Sequence, residues 1–138
     1  MFAQTKRTAT MAGAAAVIAA AFAAAPASAQ SARYCDGNLV ANSFYSNVLS
    51  NGSTATVQYH GQFQNTDPQR RRISATLLQM QRIGNFTILR PMGRLDLNAY
   101  EQKDVVIFSV QTNNPGGAGA PTPALVGQTI RFACHFVQ

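Results

Sequence analysis

Near its C-terminal end the chain alternates strictly. Over Gln128 to Val137, Ile130, Phe132, Cys134 and Phe136 share one side of an extended segment, and Thr129, Arg131, Ala133 and His135 share the other. A two-residue period marks a strand with one face in a core. Cys134 stands on the core side, and the only other cysteine is Cys35. A bridge between them ties the last strand to the first and leaves few folds open. The competing reading, a redox or metal pair, finds no second ligand beside either cysteine except His135, which alternation turns away from Cys134. A structural disulfide is therefore expected.

The first residues agree with an oxidising destination. Lys6 and Arg7 precede an alanine-dominated apolar run from Met11 to Ala25, and Ala27-Ser28-Ala29 forms a small-x-small cleavage site. This is the arrangement of a secretory signal peptide. The run falls short of the roughly 20 residues that a membrane span needs. Residues 1–29 are expected to be a cleaved signal peptide, and residues 30–138 a single domain exported to a periplasm or the medium. The alanine-rich leader reads as bacterial. Ala32-Arg33-Tyr34 before Cys35 is the wrong context for a lipoprotein, and no later apolar run is long enough to cross a bilayer. Loss of Lys6 and Arg7 lowers the net charge from +6 to +4. A mildly basic surface suits an acidic partner, although it is also ordinary for a small domain. Export excludes nucleic acid as the natural partner.

The rest of the chain reads as short strands between turn signals. Cys35-Asp36-Gly37-Asn38 and Ser50-Asn51-Gly52-Ser53 are turns. Between them Asn38 to Leu49 is ambiguous, because Val40, Phe44 and Val48 fit one face of either a helix or a strand; the poor helix formers around them favour an extended segment. Thr54 to Gln64 is a clear strand with Ala55, Val57, Tyr59, Gly61 and Phe63 inward. After the turn Asn65–Gln69, Ile73 to Ile83 is expected to pair with it as a hairpin, with a bulge where the phase slips at Leu77-Leu78; a helix is the alternative. Phe86 to Leu89 and Arg94 to Leu97 are shorter pieces, and Asn98 to Asp104 is a polar loop. In Val105 to Thr112, Val106, Phe108 and Val110 are expected to face the core. Asn113 to Gly127, rich in Gly and Pro, reads as a long loop.

Six or seven short strands place the chain in the all-β class, as a small antiparallel β-sandwich (immunoglobulin-like) or a small barrel. The buried tryptophan of antibody domains is absent, since the chain has no Trp. The architecture is therefore expected without a family.

Chemistry is sparse. Arg70-Arg71-Arg72 is the densest charge, and in a strand Arg70 and Arg72 share a face, so two guanidinium groups are placed to grip phosphate, sulfate or carboxylate. These three are the candidate anion-binding residues, with Arg82, Arg90 and Arg94 as possible extensions. The competing role is a solvated turn that keeps an edge strand from aggregating. His60 and His135 are both expected on outward faces, where neighbouring strands would let them hold a metal or do acid–base work. Asp96, Glu101 and Asp104 lie close in sequence as oxygen ligands for calcium, though a polar connection is the simpler reading. No nucleophile elbow, phosphate loop or metal-ligand spacing occurs, so no catalytic residue, metal ligand or cofactor is assigned. Asn51-Gly52-Ser53 and Asn85-Phe86-Thr87 match the N-glycosylation pattern but are not expected to be used in a bacterial protein.

The favoured function is an exported, non-enzymatic binding or accessory protein, its partner an acidic envelope component or another protein. The first alternative is a subunit of a surface fibre; only Gln30 to Tyr34 precedes Cys35, which is short for a donor segment. The second is a small metal protein or enzyme using His60 and His135. The sequence leaves the ligand, the oligomeric state, the strand order and any role of the Asn113–Gly127 loop open.

Overall fold

The computed structural model describes residues 28–29 and 31–138; apart from Ser28 and Ala29, the expected leader lies outside the described residues. The strands are β1 (Ser28–Ala29), β2 (Ala32–Tyr34), β3 (Leu39–Asn51), β4 (Thr54–Asn65), β5 (Arg72–Leu77), β6 (Arg82–Ile83), β7 (Phe86–Thr87), β8 (Arg94–Leu97), β9 (Gln102–Thr112) and β10 (Phe132–Val137). One helix, α1, spans Pro123–Thr129. All strand pairs are antiparallel. The larger sheet runs β1-β3-β4-β9, with β2 beside β1 on the same side of β3; the smaller runs β10-β5-β8, and β6-β7 is a separate hairpin. Among the described residues both larger sheets keep free edges, and the fold is not a closed barrel.

The alternating segments fold as their period dictates. Along β4 every second residue is buried, from Ala55 through Val57, Tyr59, Gly61 and Phe63 to Asn65. The ambiguous segment after Asn38 is a strand of 13 residues, joined to β4 through Gly52-Ser53; Gly52 has φ +69°, a conformation glycine adopts freely. Inner faces of both sheets meet in one core. Phe44, Tyr59, Phe63 and Phe108 come from the larger sheet, and Ile73, Ala75, Leu95 and Leu97 from the smaller. Phe132 on β10 sets its ring edge-on to Tyr34 at 5.2 Å and to Phe63 at 5.5 Å. Beside it Cys35 and Cys134 form the expected disulfide, with Cα atoms 5.6 Å apart.

Four expectations are corrected. First, β5 does not pair with β4 as a hairpin; it sits between β10 and β8. The turn after Asn65 carries the chain across the core to the other sheet. Second, β5 stops at Leu77, so no bulge rescues the slipped phase, and Leu78 faces solvent. Third, the inward set on β9 changes partway. Tyr59 opposes Phe108 but His60 opposes Val106, so Ile107 is bulged out of the ladder. Ile107 and Phe108 are therefore both fully buried, while Val106 is 40% exposed.

Fourth, the end of the Gly/Pro stretch is helical. Thr122 caps α1, its Oγ1 accepting from the Leu125 N–H at 3.1 Å, and Pro123 opens it. The closing strand accordingly begins at Phe132 rather than Gln128, although its alternation from Phe132 onward holds. Two tyrosines fasten this region to the sheets. Tyr34 Oη donates to the Gly127 carbonyl and Tyr59 Oη to the Pro121 carbonyl, each at 2.6 Å. Burial pushes both phenols up to about 12.

Candidate functional site

The three consecutive arginines are presented by a turn that two polar side chains build from within. Asn65 ends β4 with its side chain fully buried. Its amide Nδ2 donates to the carbonyls of Arg71 at 2.8 Å, Leu97 at 3.1 Å and Asn98 at 3.1 Å. Its Oδ1 accepts from the Asp67 N–H at 2.9 Å. One side chain thus joins the larger sheet to β5 and β8. Asp67-Pro68-Gln69-Arg70 then forms a β-turn, closed by Arg70 N–H donating to the Asp67 carbonyl at 3.0 Å, with Pro68 where its fixed φ fits.

The Asp67 carboxylate fills the middle of the turn. It accepts from the N–H groups of Gln69 at 3.2 Å and Arg71 at 3.1 Å, and from the Arg71 guanidinium through Nε at 2.8 Å and a terminal nitrogen at 3.3 Å. The guanidinium above all, helped by the two backbone donors, holds the Asp67 carboxyl at about 2 against the opposing effect of burial. The same cation lies 4.3 Å over the Phe136 ring. Arg71 is therefore a structural clamp between the turn and β10.

Arg70 and Arg72 are left outside. Arg70 has φ +59° and is exposed, its guanidinium 5.8 Å from the centroid of the Tyr100 ring. Arg72 opens β5 opposite Val137. Contrary to the sequence expectation, the two do not share a strand face, because the strand begins only at Arg72 and Arg70 lies in the turn before it. They nevertheless line one shallow recess of about 340 Å³, together with Asn98, Ala99, Val137 and Gln138. Among the described residues neither makes a salt bridge.

Of the proposed extensions, Arg94 belongs to the same sheet face. It opposes Thr76, four residues along β5 from Arg72, a distance of roughly 13 Å. Arg94 Nε pairs with Asp96 Oδ2 at 3.1 Å, and Ser74, Arg94 and Arg72 together hold the Asp96 carboxyl below its usual value. Arg82 is engaged in the β6–β7 hairpin, donating to the Asn85 carbonyl at 2.8 Å. Arg90 lies on the segment that borders β9 near Ser109, toward the other end of that strand.

The histidines occupy outward faces of different sheets and are not brought together. His135 is exposed and opposes Ser74, which in turn opposes Asp96. These are the residue types of a hydrolase triad, but serine stands between the other two, so the imidazole is not interposed to relay a proton to the carboxylate. His60 is the centre of a polar cluster that sequence reading missed. Its Nδ1 lies 3.4 Å from Asp104 Oδ1 and its Nε2 3.2 Å from Asn47 Nδ2, while its ring stacks on Tyr45 with centroids 4.6 Å apart. Tyr45 Oη donates to Asp104 Oδ2 at 2.6 Å, which raises the phenol's pKa. Both imidazole nitrogens are occupied within the cluster. Alternation placed His60 outward, but its partners depend on register with β3 and β9. Asp96 and Asp104 fall in different sheets, and no group of three or more metal-ligating side chains is found among the described residues.

No helix among the described residues is long and apolar enough to cross a membrane. No family model matches the chain, and neither a curated protein nor a solved structure matches it.

Proposed function

We propose that this is an exported, non-enzymatic β-sandwich of immunoglobulin-like kind that binds an acidic group of an envelope component through Arg70 and Arg72. The observation that carries this reading is the division of labour within the arginine triplet. Arg71 is committed to Asp67 and Phe136, whereas Arg70 and Arg72 border one open recess and make no salt bridge among the described residues, Arg72 feeling Asp96 only at longer range. Two arginines lining one recess suit a phosphate, sulfate or carboxylate better than a neutral ligand. The disulfide is compatible with an oxidising compartment, and a mildly basic surface favours an acidic envelope polymer.

The test is calorimetric titration with a carboxylated oligosaccharide, a phosphorylated one and a neutral one of equal length. Binding of the acidic ligands alone, weakening as salt is raised, is expected. The double variant Arg70→Ala/Arg72→Ala should lose at least about tenfold in affinity, since a charged hydrogen bond contributes about 1.5–3 kcal/mol. Arg82→Ala, on the distant hairpin, should bind as the parent does. Equal binding of neutral and acidic ligands, or no effect of the double variant, refutes the proposal.

A further inference from the structure

The outer edge of β3 is only partly paired among the described residues. β2 pairs with it over Leu39–Ala41 and β1 over Phe44 and Tyr45; among the described residues no strand pairs with Ser46–Asn51 on that side. An unpaired edge leaves a row of backbone N–H and C=O groups open to another chain, and proteins usually blunt it with charge, proline or a cover. The other edges of this fold are protected in those ways. Leu89 and Met92 hydrogen-bond along β9 at Ser109 and Ile107. β8 has only four residues and carries Arg94 and Asp96, and β10 carries His135.

Among the described residues Ser46–Asn51 has none of these devices. It contains no charged residue and no proline, and Val48 and Leu49 are 44% and 50% exposed. The Gly117 loop packs against Val48 on the core side, and Ser50 Oγ donates to the Pro115 carbonyl, so the strand end is braced in extended form. β1 already shows that this edge accepts a strand in antiparallel sense. Cleavage after Ala29 would remove β1 and extend the open edge back to Phe44.

We propose that two copies of the chain pair along this edge, β3 against β3, about a twofold axis through Val48. A twofold axis normal to the sheet keeps inner faces with inner faces, as an isologous contact requires. Centred on Val48, it sets the two Val48 side chains opposite each other, Ser46 opposite Ser50, Asn47 opposite Leu49, and, once β1 is gone, Tyr45 opposite Asn51. No charge meets a like charge. This centre uses seven residues of the freed edge, more than a centre on Leu49 before the turn at Gly52 intervenes. A second copy is the fitting occupant because the edge is neutral and pairs with itself without a charge clash, on a molecule whose net charge would otherwise repel copies. The result is one sheet continuous across both protomers, independent of the arginine recess.

Sedimentation velocity on the purified protein tests this, with the N-terminal residue established by mass spectrometry. A reversible dimer is expected, and Val48→Lys, which sets two ammonium groups opposite each other, should weaken it by about tenfold or more. Val106→Lys, equally exposed but off the edge, should leave it intact. Val48→Cys tests the register directly. Opposed Cα atoms in an antiparallel pair lie about 4.5–5.5 Å apart, within disulfide reach, so an oxidised sample should give a covalent dimer on a non-reducing gel. Leu78→Cys, also exposed, should not. A monomer at all concentrations, a dimer unaffected by Val48→Lys, or a Val48→Cys chain that fails to link or links to a different protein overturns the proposal.

Discussion

Arg71 Nε lies 2.8 Å from Asp67 Oδ2, and this pair holds the turn that displays the neighbouring arginines. The Asp67 carboxyl is lowered from 3.8 to about 2, so the folded state favours its charged form. The stabilisation is present above the unfolded value near 4 and is lost as pH falls through 4 toward 2. Asp96, also lowered, acts in the same direction. Asp67→Asn should reduce the melting temperature at pH 7, and its deficit against the parent should narrow as pH falls from 4 toward 2, where the Asp67 carboxylate is taking up its proton. A deficit independent of pH would show that the carboxylate's charge is not what stabilises the turn.

Asn65 should be as sensitive as any core apolar residue. Its amide supplies donors to three carbonyls and an acceptor to Asp67, all at a fully buried position. Asn65→Ala leaves those groups without their partner at a buried position, a loss of about 1–3 kcal/mol. Urea unfolding should show that loss with little change in slope. Because the turn is anchored by the same bonds, affinity for acidic ligands should fall as well.

Sequence alone made the local patterns legible. The alternation of β4 and β10 and the Cys35–Cys134 bridge follow from residues whose period or chemistry is read in place. Strand pairing is different. Whether β5 returns to β4 or crosses the core depends on where Asn65 finds its acceptors, and two of these lie 32 and 33 residues away. The β9 bulge at Ile107 is likewise invisible in a run of apolar residues that fits either phase. α1 had a signal that was passed over: Thr122 followed by Pro123 is a capping residue and a first-turn proline, hidden by the glycines before it. The arginine triplet was visible as charge. Its division into one clamp and two exposed cations followed from the four-residue spacing of Asp67 and Arg71, which sequence offered but alternation obscured.

Gly127→Ala sets two effects against each other. Replacing a helical glycine by alanine gains about 1 kcal/mol of propensity. Here the added Cβ would come within 2.6 Å of Phe44 Cε2 and 2.9 Å of Cδ2, on a ring that is 1% exposed. Overpacking a fixed core ring costs about 1–3 kcal/mol, so the variant should be neutral to about 2 kcal/mol less stable. Stability above that of the parent in thermal unfolding would mean that Phe44 has room to move.

The disulfide should contribute more than any single contact. Cys35 and Cys134 are 99 residues apart, so their bridge closes nearly the whole described chain. In the chain-entropy view a loop of that size is worth up to about 4–5 kcal/mol, most of it from restricting the unfolded state. Cys35→Ala/Cys134→Ala should therefore shift the urea midpoint strongly while leaving the far-ultraviolet dichroism of the folded protein β-like, since Phe132 still packs on Tyr34 and Phe63 without the bridge. The parent in reductant should match the double variant. If the parent is unaffected by reductant that mass spectrometry shows to have opened the bridge, the ends are held by aromatic packing and β10 pairing with β5 rather than by the covalent link.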